Sequence, residues 1–133
     1  MPEIAFLDTN MVVRYITGMP SEMATRAAQV IDHLDNLWVT PVVVAETAHV
    51  LMSVYQVPRA VVVDHLIAFM LKKNINSHAI DEDLIIQGLL LVRPSGRVSV
   101  PDALIWAEAR SGGAQVVYTF NEAFLSEELE VRQ

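Results

Sequence analysis

Apolar residues fall in short bursts along the chain, separated by polar and turn-forming residues, and the spacing within each burst predicts its local structure. Glu3 to Leu7 reads as a short buried strand that ends at Asp8, and Thr9 or Asn10 then starts a helix through about Thr17, closed by Gly18 and Pro20. Ser21 begins a second helix, in which Ala24, Ala27, Val30, Ile31 and Leu34 recur at helical spacing. Leu37 to Thr40 is a second strand. Thr40 and Pro41 have the chemistry of an N-cap and a first-turn residue for a strongly apolar helix from Val42 to about Gln56. Another helix runs from Pro58 to about Lys73, "NINSHAI" is a weaker strand, and Asp81 is placed to cap a helix through about Val92. Pro101 opens a helix over Asp102 to Arg110. "AQVVYTF" is a strand, followed by a short helix and a tail, "LEVRQ", that can add an edge strand.

Strands alternating with one- or two-helix excursions predict an α/β fold with a small, mainly parallel sheet covered by helices. A length of 133 residues is most economically one domain over 1–133. In such sheets ligands gather beyond the carboxyl ends of the strands, and Asp8 and Asn121 both stand at predicted strand ends.

Composition sharpens this picture. Hydrophobic residues make up 53% of the chain and charged residues 19%, which describes a folded globular chain. The net charge of −7 argues against a protein that coats nucleic acid by bulk charge. Acidic chains can still act on phosphates when their carboxylates surround divalent cations. There is no cysteine, so disulfides and thiolate metal sites are excluded. No apolar run approaches the roughly 20 residues of a spanning helix, and no export signal is visible, so a cytoplasmic protein without membrane attachment is expected.

Four positions invite chemistry. Asp8 heads the oxygen-rich group Asp8-Thr9-Asn10, although a strand-end Asp also serves simply to cap the next turn. Glu46 lies in "VVVAETAHVLM", apolar nearly all round, with no Lys or Arg within one turn. A carboxylate buried there must protonate, pair or coordinate a metal; otherwise it snorkels through a polar stripe with Thr47 and His49. "ETAH" has the Glu-x-x-His spacing of di-iron bundles, but no second copy exists, which leaves His49 a structural residue and a helical metal-binding protein a weak reading. Asp102 occupies a first helical turn, where an acid is favourable by itself. Thr119 and Asn121 close the last clear strand and suit turn hydrogen bonds or an oxygen ligand role.

Taken in order, "FLDTN", the Glu46 helix, "VPDALIWAEAR" and "VVYTFNEAF" resemble the motif series of a PIN domain, and in particular that of the VapC toxins, the ribonuclease halves of toxin–antitoxin pairs. The resemblance spans essentially the whole chain and implies a three-layer PIN-like fold. It implies that Asp8, Glu46 and Asp102 converge on one or two Mg²⁺ or Mn²⁺ ions to hydrolyse RNA phosphodiester bonds. Thr119 would orient a water or ligand, and Thr9 and Asn10 would support the first corner. Arg14 either reaches the RNA backbone or is a surface arginine. The family often carries a fourth acid where this chain has Asn121, a departure that should weaken a second metal. The implied partners are an RNA substrate (transfer or ribosomal), a cognate antitoxin protein and a second copy in a homodimer. Val61, Val62, Val63, Leu66, Met70 and Leu71 exceed what one helix face needs, and about half of them should be core. The alternative is a catalytically weakened PIN-fold protein that binds a protein or antitoxin.

Overall fold

Thr40 shows how local sequence starts an element here. In the computed structural model, which describes residues 3–133, its extended backbone and side-chain oxygen, accepting from the Val43 N–H at 3.2 Å, open helix α3 (Pro41–Ser53). Proline in the first turn costs nothing, because that N–H has no partner in a helix.

The chain packs as two compact units, one ending at His78 and the other beginning at Ala79. The first contains β1 (Ala5–Phe6), α1 (Thr9–Thr17), α2 (Ser21–His33), β2 (Leu37–Val39), α3, α4 (Arg59–Met70) and β3 (Ile75–Ser77). The strands lie in the order β1-β2-β3, all parallel, with Phe6 opposite Trp38 and Trp38 opposite Asn76. Leu37 and Val39 face a core that also takes Val12, Ala27, Ile31, Leu51 and Leu66. On α4, Val62, Val63, Leu66 and Met70 are buried, whereas Val61 and the C-cap residue Leu71 stay exposed. Four of the six apolar residues singled out on this helix are therefore core.

At the end of α1, Gly18 adopts φ 70°, and its N–H donates to the Arg14 carbonyl at 2.9 Å. Tyr15 on α1 donates its hydroxyl proton to Asp32 on α2 at 2.6 Å. That bond holds the Asp32 carboxyl below its usual range and raises the Tyr15 phenol.

The second unit contains α5 (Glu82–Val92), α6 (Val100–Ser111), β4 (Val116–Tyr118) and β5 (Glu130–Arg132). β4 and β5 pair in parallel, so the tail does form the expected edge strand. The short helix expected after β4 does not form. Residues 121–128 are turns, held by the Asn121 side chain and by the Phe124 N–H donating to the Asn121 carbonyl. Asp81 precedes α5 but makes no capping bond. Among the described residues no helix is long and apolar enough to cross a membrane.

α5 packs on α6 at Gly88, where an added Cβ would meet the Ala103 carbonyl oxygen at 2.9 Å. That oxygen is backbone and cannot swing aside. Gly88→Ala gains about 1 kcal/mol of helix propensity against roughly 1–3 kcal/mol of overpacking. A net loss of about 1 kcal/mol is expected in urea denaturation. An unchanged or higher midpoint would contradict the close approach.

Candidate metal centre

The parallel register of β1 and β2 places the candidate residues of the first unit. With Phe6 opposite Trp38, both chains leave the sheet at the same edge: β1 into Asp8, β2 into the start of α3. Asp8 is exposed, and its carboxylate accepts the Thr9 N–H at 2.8 Å, so it caps α1. Thr9 is buried, and its hydroxyl donates to Glu46 Oε1 at 3.3 Å. Asp8, Thr9 and Glu46 are thus brought together at the carboxyl edge of the sheet. Asn10 is exposed beside them.

Glu46 is itself exposed, which decides between the two readings left open for it and sets aside the buried carboxylate. The core stripe of α3 runs through Val43, Val44, Thr47, Ala48 and Leu51, and Glu46 and His49 fall on the other side. The run looked apolar all round because Val42 is spent on solvent. Nor is there a polar stripe: Thr47 is fully buried, and its hydroxyl has no partner among the described residues. His49 is exposed, with its Nδ1 3.4 Å from the Ser53 hydroxyl.

Arg14 is half-buried. Its Nη1 donates to the Tyr55 hydroxyl at 3.0 Å and to the Met19 carbonyl at 3.3 Å, so it is anchored and not a loose surface arginine.

In the second unit, Asp102 is half-buried in the first turn of α6. The helix begins earlier than expected, at Val100. Its cap is Ser99, whose hydroxyl oxygen accepts the Asp102 N–H at 3.1 Å. Sequence reasoning passed over Ser99. The signal was available, since Ser-x-x-acid is a capping pattern. Asp102 also takes a hydrogen bond from Asn121 Nδ2 at 3.4 Å, while Asn121 Oδ1 accepts the Ala123 N–H at 3.0 Å. Thr119 Oγ1 accepts the Asn121 N–H at 3.1 Å. Thr119 and Asn121 therefore make the turn bonds that strand-end residues ordinarily make, and the turn aims the amide at the carboxylate. Because Oδ1 is engaged by Ala123, Asn121 is arranged as a donor to Asp102 more than as a carbonyl ligand.

Within neither unit, among the described residues, do three or more His, Asp or Glu side chains gather as a metal cluster. The donors present are carboxylates supported by hydroxyl and amide groups, oxygen chemistry that suits hard divalent cations.

The Asn121–Asp102 contact is testable without metal. Asn121→Asp keeps the acceptor for Ala123 but replaces the donor with a second carboxylate. Like charges at that distance raise the pKa of the pair, so the variant should be less stable than wild type at neutral pH. The half-exposed setting keeps the deficit to about 1 kcal/mol. Protonation removes the repulsion, so the deficit should shrink as pH falls through the raised pKa. Urea denaturation at pH 7 and pH 4 in EDTA checks this, and a deficit independent of pH would refute it.

A search among curated proteins finds no match. The family model described as the PIN domain matches residues 5–126, which include Asp8, Glu46, Asp102, Thr119 and Asn121. PIN domains are generally nucleases, hydrolases that act on nucleic acid with divalent metal ions. The strand-end acid, the α3 glutamate and the capped α6 aspartate lie inside that match, and the chain belongs to the PIN domain family.

Proposed function

We propose that the protein is a metal-dependent endoribonuclease of the VapC type, which hydrolyses RNA phosphodiester bonds and is silenced by a cognate antitoxin. Asp8, Glu46 and Asp102 are its ligands for Mg²⁺ or Mn²⁺, directly or through water. The observation that carries this reading is the Thr9 hydroxyl on Glu46, made by the residue that Asp8 caps, at the carboxyl edge of a parallel sheet inside the PIN match. A structural role for Glu46 would not need that arrangement, since the side chain is free to lie in water.

When bound, the ions would supply a water of lowered pKa and positive charge for the phosphorus centre. The chain's own residues do the rest. Thr9 fixes one oxygen of Glu46 and leaves the other for a ligand. Asn121 restrains Asp102 and adds no negative charge, so one ion should bind better than two. Arg14 is held by two neutral oxygens and keeps its positive charge for phosphate. The acidic surface suits an antitoxin with basic side chains, and Val61 on α4 and Leu71 at its C-cap, both exposed, suit a homodimer or antitoxin contact.

Incubating the protein with total RNA and Mg²⁺ should produce cuts at defined sites that EDTA abolishes, and intact RNA would sink the proposal. Asp8→Asn separates the two roles of that residue. Asn caps a helix about as well as Asp, so stability should stay within about 0.5 kcal/mol of wild type. Mn²⁺ binding, followed by calorimetry, should be lost, and undiminished binding would remove Asp8 from the ligand set.

A further inference from the structure

We propose that the cavity between α1 and α2 is a subsite for a backbone phosphate of the RNA lying outside the cleaved bond, an inference that rests on the ribonuclease reading above. This open concavity of about 480 Å³ is lined by Asn10, Met11, Arg14, Met23, Arg26 and Gln29, together with Val30. Its size falls in the range of roughly 300–1,000 Å³ usual for small-ligand sites.

Its charge sets it apart from the rest of the molecule. The chain carries 16 acidic and nine basic Lys and Arg residues, yet two arginines and no carboxylate line this cavity. Among the described residues, neither arginine is in an ion pair. Among the described residues, Arg14 donates to the Tyr55 hydroxyl and the Met19 carbonyl, and its buried Nε has no partner. Arg26 is exposed on α2 and enters no ion pair among the described residues. Two uncompensated guanidiniums in one concavity attract a doubly hydrogen-bonding oxyanion, and guanidinium geometry matches phosphate. Asn10 and Gln29 add amide donors, and the two methionines offer apolar wall for a ribose or base.

Position selects RNA over a free anion or an acidic peptide. Asn10 follows Thr9, the residue that binds Glu46, so the cavity starts within two residues of the Asp8 carboxylate. A phosphate held by Arg14 and Arg26 would lie beside α1, the helix that Asp8 caps. The arginines thereby supply, at one spot, the attraction to phosphate that the net charge denies the surface as a whole.

The test measures binding, not cleavage. Anisotropy of a labelled single-stranded RNA oligonucleotide is followed in EDTA over a series of salt concentrations, for wild type, Arg26→Ala and Arg26→Lys. Arg26 is exposed, so both variants should fold, and a circular-dichroism melt confirms it. Arg26→Ala should weaken binding three- to tenfold and reduce the slope of log affinity against log salt by about 0.7, the value for one phosphate contact on a single strand. Arg26→Lys should recover most of both. Wild-type affinity and slope in Arg26→Ala would overturn the subsite. RNA that wild type cuts with Mg²⁺ but binds without any contribution from Arg26 removes the subsite alone. Failure of wild type both to cut and to bind RNA removes the ribonuclease reading with it.

Discussion

The parallel pairing of β1 with β2 is the constraint on which the first unit's chemistry depends. Parallel strands leave a sheet at the same edge, and the register of Phe6 against Trp38 sends the chain out at Asp8 and at Thr40 together. Each exit immediately nucleates a helix through a side-chain cap. Glu46 lies between one and two turns into the second of these helices, close enough for the Thr9 hydroxyl to reach it. Had the strands been antiparallel, Asp8 and the start of α3 would stand at opposite ends of the sheet.

Capping and candidate chemistry share the same atoms. Asp8 caps α1, and Asp102 gives its N–H to the Ser99 cap of α6 while its carboxylate takes the Asn121 amide. A helix N-terminus needs acceptors for its first N–H groups and favours nearby negative charge. These positions therefore hold a carboxylate in place at little cost to stability. Arg14 and Arg26 complement them, concentrating positive charge in one cavity of an otherwise acidic protein.

Much of this was legible in advance, and the exceptions have definite causes. Helix starts were clear where a cap and proline announced them, as at Thr40-Pro41, and strands where β-branched residues clustered, as at Val116 and Val117. The helix expected after β4 failed because Asn121 and Thr119 spend their polar groups on tight turns, a competition that local sequence leaves open. The exposure of Glu46 was left open for a different reason. Apolar residues occupy both faces of α3, and only packing against α1 and α4 determines which face is covered.

The order of strands and helices, the caps at Asp8 and Thr40 and the acids at the candidate site are properties of the sequence alone, because each rests on interactions within a few residues. Tertiary structure decided the rest. It chose the face of α3 that meets water, brought Thr9 to Glu46 across 37 positions of sequence, and turned Asn121 into a donor for Asp102. It also opened the arginine-lined cavity between α1 and α2. Such contacts depend on the geometry of elements packed against one another, which no run of neighbouring residues encodes.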